Sequence, residues 1–192
     1  MEGKFIKEHE SIKQASIETN TPRVCCINRL KHAGDYYIKN KKNNMKYFAY
    51  GSNMSQTRME KRGLIPTHKE VAFLDNYEFI INKRSYKNPK IGYANVKPKE
   101  GSIVEGIVYE VEENEILKLD RAEGFPKHYD KKILNLRLSN GTTIEGVVYI
   151  ANFGWTSPRQ LKTTPEYKNF ILEGKDWISK NYYDFLNESS II

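Results

Sequence analysis

The chain has 192 residues and a net charge of +7, with 39% hydrophobic, 12% aromatic and 29% charged residues. That composition can build the core of one ordinary domain with an appendage, and it excludes wholesale disorder and two independent domains. No run approaches the roughly 18 apolar residues of a membrane span, and Glu2, Lys4, Lys7, Glu8 and Glu10 occupy the place of a secretion signal, so a soluble cytoplasmic protein is expected.

Residues 1–44 hold nine Lys/Arg against five Asp/Glu, more than half of the net charge. They show no sustained period of 2 or 3.6, contain Thr21, Pro22 and Gly34, and end in the polar run Lys39 to Asn44. This segment is predicted to be a basic, flexible extension, dispensable for folding, with a short helix over Ser11 to Glu18 as its one candidate element. Met45, just before the first strong strand, is a candidate for an alternative translation start that the sequence does not settle. A basic leader can touch nucleic acid through phosphate attraction, but no basic face or stacking motif accompanies the charge, so a nucleic-acid partner is not expected. The neighbours Cys25 and Cys26 are the only cysteines, which excludes a disulfide framework, and the four histidines lack metal-site spacing. The common nucleotide-binding loops and the serine-hydrolase elbow are also missing.

The domain is predicted to run over residues 45–192. Lys46 to Tyr50 reads as a buried strand ending at Gly51-Ser52-Asn53, after which Ser55 caps a helix through Arg62 that Gly63 stops. Val71 to Leu74 and Tyr77 to Asn82 read as strands around an Asp75-Asn76 turn, followed by separate strands over Gly92 to Val96 and Val104 to Val111. Glu112 to Glu123 reads as a helix closed by Gly124. Alternating Leu134, Leu136 and Leu138 then turn through Asn140-Gly141 into Ile144 to Ile150, and a last helical region starts at Thr164-Pro165 with a break near Gly174. Short strands with few intervening helices do not make a parallel α/β rhythm. The expected fold class is α+β, a small mixed or antiparallel barrel flanked by helices.

Two places carry chemistry. In Tyr50, Gly51, Ser52, Asn53 and Met54 the glycine permits close approach, and successive N–H groups before a helix make a cradle for a carboxylate or oxyanion. Such a segment can equally be an ordinary strand-to-helix turn. In the second helix, Ile116 and Leu119 stand seven and four residues before Glu123, which places that carboxylate on the apolar stripe. Burial and the negative end of its own helix are expected to raise its proton affinity, which makes it a candidate general acid/base, unless it swings out into solvent.

Phe48-Ala49-Tyr50-Gly51-Ser52-Asn53-Met54 resembles the YGSN[ML] signature of the γ-glutamylcyclotransferases, and Leu119-Asp120-Arg121-Ala122-Glu123-Gly124 resembles their catalytic-glutamate segment. Gly92 to Val96, Val104 to Tyr109 and Pro165 to Gly174 agree in order, so the likeness covers about residues 46 to 178. It implies a barrel enzyme without metal or cofactor that converts a γ-glutamyl amide into 5-oxoproline and a free amine. Glu123 would be catalytic, and Tyr50, Gly51, Ser52, Asn53, Met54, Tyr129 and Tyr167 would bind substrate. Pro126-x-x-Tyr129 also resembles the AIG2-like and γ-glutamylamine branches, and a binding module of the same fold is the alternative of a different class. His128 reads as a bystander, and the sequons at Asn140 and Asn187 as turn and tail. The loops Lys83 to Ile91 and Phe153 to Thr163, which would shape the leaving-group side, carry no readable code, and neither does the oligomeric state.

Overall fold

The computed structural model describes residues 29–32, 35–38 and 44–188. Contacts divide the chain into two units, 1–41 and 42–192. In the first, β1 (Arg29–His32) pairs antiparallel with β2 (Asp35–Ile38), Arg29 facing Ile38. Strands of four residues are too short to display a period, which is why the sequence reading found none there. The helix expected over Ser11 to Glu18 lies outside the described residues.

In the second unit, β3 (Asn44–Ala49), β4 (His68–Arg84), β5 (Gly92–Glu112), β6 (Tyr129–Leu138) and β7 (Thr143–Ala151) form a closed barrel in the order β3-β5-β4-β6-β7. Every ladder is antiparallel except the seam, where β3 runs parallel to β7 with Tyr47 opposite Val147. The α+β barrel flanked by helices is the fold class expected. Phe48, Val96, Val104, Val111, Leu136 and Val148 of the strands, with the helical Leu119, are each 0% exposed in the core. Burying a side chain of this kind contributes about 1.5–3 kcal/mol.

Two readings of the strands are corrected. Asp75-Asn76 does not turn the chain: β4 continues through it as a bulge, with Asn76 at φ 62° and a register shift between Asp75 and Tyr77. The partner strand bulges in step around Gly101 (φ +74°), whose N–H donates to Asn76 Oδ1 at 3.1 Å. Turn-forming residues serve here as a paired irregularity within one long hairpin, so the segments 92–96 and 104–111 also belong to a single strand. The Asn140-Gly141 hairpin forms as expected, Gly141 having φ +84°.

The helices decorate the barrel. Ser55 caps α1 (Gln56–Lys61), accepting from the Arg58 N–H at 3.0 Å. A reciprocal box between Glu112 and Glu115 opens α2 (Glu113–Glu123), whose Ile116 and Leu119 are buried. Thr164 caps α3 (Pro165–Leu172), and a 3-10 turn over Glu173–Asp176 supplies the break near Gly174. A further helix, α4 (Lys180–Glu188), was not expected. Tyr182, Tyr183, Phe185 and Leu186 have helical spacing that the sequence reading did not take up, and Leu186 is its fully buried residue.

Candidate active site

The end of β3, the end of α2, the start of β6 and the first turn of α3 converge. Tyr50 leaves the barrel strand, and a 3-10 turn over Ser52–Met54 follows at once. The first N–H groups of such a turn have no partner within it. Gly51 has φ −121°, so the left-handed region is not what demands glycine. The reason is contact: a Cβ there would stand 2.8 Å from Ala94 Cβ and 3.6 Å from the Tyr167 hydroxyl.

Glu123 is the last residue of α2, which Gly124 closes in the left-handed conformation at φ 67°. Its side chain is 17% exposed. The sequence reading placed it on the apolar stripe of its helix and named no partner for it, and the structure supplies two. Arg62 Nη1 donates to Glu123 Oε1 at 2.5 Å, and Asn53 Nδ2 donates to the same oxygen at 3.0 Å. Both contacts stabilise negative charge. The other oxygen, Oε2, has no partner among the described residues. Arg62 was missed because it stands at the C-cap of α1, 61 residues away, where a basic residue has an ordinary helix-end explanation.

A set of tyrosines walls the site. Asn53 Nδ2 also donates to the Tyr47 hydroxyl at 2.6 Å. Tyr50 donates to the Tyr149 carbonyl at 2.5 Å, Tyr129 donates to the Ala94 carbonyl at 2.7 Å, and the Tyr167 hydroxyl accepts from the Ala94 N–H at 3.1 Å. Burial, reinforced by the charge of Glu123, pushes all four of the Tyr47, Tyr50, Tyr129 and Tyr167 phenols above their ordinary range, so they stay neutral at physiological pH. Tyr149 is held the same way by burial and by its bond to Asp120 Oδ1 at 2.7 Å, and Lys131 pairs with that aspartate at 2.9 Å. Asn53 Oδ1 is buried and has no donor among the described residues.

The space divides into an inner recess of about 30 Å³ and an outer vestibule of about 590 Å³, with Ser52, Glu123, Tyr129 and Tyr167 common to both walls. Tyr50, Gly51 and Asn53 line the recess, while Met54 lines neither space. It is 2% exposed and packs against Gly174, which anchors the loop from behind. His128 packs against Trp155 with the rings tilted by 48° and their centres 4.1 Å apart, and its imidazole is lowered in proton affinity by partial burial and by the charges of Lys83 and Lys127. Among the described residues no group of three or more His, Cys, Asp or Glu could hold a metal.

The chain as a whole is similar to known proteins. The family model described as gamma-glutamyl cyclotransferase, AIG2-like, matches residues 47–178. A putative gamma-glutamylcyclotransferase of Drosophila melanogaster is 38% identical over 64 residues, which is 33% of this chain and 41% of that protein, so the match spans less than half of the fly relative. A putative gamma-glutamylcyclotransferase of Methanocaldococcus jannaschii is 33% identical over 82 residues, 40% of this chain and 68% of that protein. Among solved structures, a gamma-glutamyl cyclotransferase superposes with a TM-score of 0.68 at 22% identity, covering 78% of this chain and 90% of that one. A human protein does so with a TM-score of 0.66 at 22% identity, covering 78% and 89%. The structures share the fold, and the family match takes in both the loop after Tyr50 and the glutamate that meets it: the chain belongs to the gamma-glutamyl cyclotransferase, AIG2-like family of enzymes.

Proposed function

We propose that this enzyme cyclises a small γ-glutamyl amide to 5-oxoproline with release of the free amine, Glu123 carrying the proton. The γ-glutamyl unit sits against the recess, its α-carboxylate or the developing oxyanion facing the N–H groups of Gly51, Ser52 and Asn53. Asn53 Oδ1, the buried acceptor without a donor, is available to the α-ammonium. Glu123 Oε2 takes one proton from that ammonium, and the freed nitrogen attacks the γ-carbonyl carbon, forming the ring C–N bond. The tetrahedral intermediate then breaks the original amide C–N bond: the proton on Oε2 passes to the departing nitrogen, the ring nitrogen gives up its second proton to the same amine, and the products are the neutral lactam and an ammonium. No water is consumed. Ring closure within one molecule gains from holding the chain folded back, a task the Tyr129 and Tyr167 walls are placed to perform.

The observation that carries this reading is the asymmetry of Glu123: Arg62 and Asn53 both hold Oε1 while Oε2 is left to the cavity. A carboxylate fixed by one oxygen is oriented without being used up. The test is release of 5-oxoproline from a panel of γ-glutamyl amino acids and γ-glutamyl amines by the wild type and by Glu123→Gln. Formation of 5-oxoproline by the wild type with loss in the variant supports the reading. Release of free glutamate instead would mean hydrolysis by water and would overturn it.

A further inference from the structure

The outer vestibule is lined by five Lys/Arg side chains, Arg58, Arg62, Lys83, Lys87 and Arg121, against the single carboxylate of Glu123. Arg62 is engaged by Glu123, while Lys87 and Arg121 are exposed. Lys83 differs from all of these. It is 6% exposed, and no carboxylate or other acceptor among the described residues pairs with its ammonium. Its Nζ lies instead 5.4 Å from the ring centre of Tyr93, 5.6 Å from Tyr129 and 5.3 Å from Trp155. Desolvation lowers its proton affinity while the charge of Glu123 opposes that shift.

An ammonium partly withdrawn from water without an anion is costly, and three aromatic faces offset only part of that cost. The surroundings nonetheless hold it in place. A register shift between Ile81 and Lys83 breaks the alternation of β4 here. Asn82 next to it is fixed by Asn95 at 2.9 Å and by the Ser157 carbonyl at 3.1 Å. Leu161 N–H donates to the Ile81 carbonyl at 2.7 Å, which ties the loop bearing Trp155 to the same strand. The cation is thus built into a rigid position facing the vestibule.

We propose that Lys83, in its cage of Tyr93, Tyr129 and Trp155, is the specificity-determining residue that binds a carboxylate on the leaving amine. This rests on the cyclisation proposed above. With the γ-glutamyl unit at the recess and the scissile nitrogen beside Glu123, the leaving group projects past Tyr129, the wall common to both spaces, and Tyr129 is itself one face of the Lys83 cage. A carboxylate on the carbon next to that nitrogen supplies the anion the ammonium lacks. An uncharged leaving group does not.

γ-Glutamyl-alanine and γ-glutamylethylamide differ only in that carboxylate, so kcat/KM is measured for both. Wild type is expected to prefer γ-glutamyl-alanine by about 10- to 100-fold, the span of a charge-assisted contact made in a desolvated site. Lys83→Met, which keeps the stem length, is expected to bring the ratio close to one by losing rate on γ-glutamyl-alanine, and Lys83→Arg to restore most of the preference. A wild type without preference overturns the proposal whatever the variants do. So does a Lys83→Met protein that retains the preference, or a preference that vanishes instead in Arg58→Met, whose guanidinium Nε is also unpartnered. Should Lys83→Met show no thermal transition, stronger inhibition of the wild type by alanine than by ethylamine supports the site, and equal inhibition overturns it. Failure of wild type to release 5-oxoproline from either compound removes the underlying reading and the proposal with it, whereas turnover of both without discrimination removes the proposal alone.

Discussion

The inner recess and the outer vestibule share four residues yet are built on opposite plans. In the recess, among the described residues, most polar groups are already engaged, since Tyr50, Tyr129 and Tyr167 each bond to backbone and Asn53 bridges Tyr47 and Glu123, and only Asn53 Oδ1 and Glu123 Oε2 are left open to the reacting groups. In the vestibule, among the described residues, the cation of Lys83 meets aromatic faces and no anion, and the Nε of Arg58 has no hydrogen-bond partner. An engaged network fixes geometry before substrate arrives, while unpaired charges stay available to whatever anion enters. Chemistry common to every substrate belongs in the first environment, and discrimination between substrates in the second.

The largest test of that division is Glu123→Gln. Turnover should fall by about 10² to 10⁴-fold, and by the same factor for every γ-glutamyl amide that the wild type accepts. A loss confined to one leaving group would break the division. The folded state should lose about 1–2 kcal/mol, because the mostly buried Arg62 is left without its counter-ion, an effect read from the thermal melts of both proteins.

Gly51→Ala comes next. The added Cβ would stand 2.8 Å from Ala94 Cβ, so the loop or the strand must shift. A displacement of this kind is expected to cost about 10- to 100-fold in kcat/KM on both carboxylate-bearing and uncharged leaving groups, with about 1–3 kcal/mol of stability. Crystals of the variant with an unmoved loop and full activity would remove close approach as the reason for glycine.

Arg62→Met asks whether holding Oε1 matters to the chemistry or only to the fold. A drop of about 10-fold in kcat with little change in KM, partly rescued by Arg62→Lys, is the expected result for a residue that positions the carboxylate. A change in KM alone would assign Arg62 to substrate binding in the vestibule.

The smallest effect lies outside both regions, at the β4–β6 pair Asp75–Arg137, where the two contacts measure 2.8 and 2.7 Å. The Arg137 bond holds the Asp75 carboxyl below its ordinary range, with burial opposing. A depressed carboxylate contributes stability that is complete above the unfolded value of about 4 and is lost as pH falls through the lowered folded value. Since the side chains are 41% and 38% exposed, screening by solvent limits the contribution to about 0.2–1 kcal/mol. Melts of wild type and Arg137→Met should differ by no more than this at pH 7 and converge in acid. A gap that widened in acid would have the wrong sign.

What the sequence disclosed follows the same division. Tyr50 to Asn53 form one contiguous loop and Glu123 ends one helix, so these recess residues could be picked out by local reasoning, and Ser55, Gly63, Gly124 and Thr164 marked the helix boundaries through capping chemistry that acts within four residues. Arg62, Lys83 and Trp155 were not legible as site residues. Each reaches its neighbours across a long sequence separation, and Lys83 does so next to a register shift that no alternation pattern announces. The continuous β4 and β5 escaped for a related reason: Asn76 and Gly101 are turn-forming residues whose role is decided by the strand opposite. Met54 reads as part of the loop signature yet serves the hydrophobic core, because sequence adjacency to a ligand loop does not say which way a side chain faces.

The parallel seam between β3 and β7 joins Tyr47 to Val147 across 100 positions, and Tyr47 is also the hydroxyl to which Asn53 donates. Closing a loop of that length is among the slowest contacts a chain of this size can make, while the β4–β5 and β6–β7 hairpins are comparatively local. Catalytic competence should therefore be the last property to return when the denatured protein is refolded, arriving after most of the strand signal, and the amide protons along the seam should exchange in step with loss of activity. In this molecule enzymatic activity doubles as a reporter of ring closure.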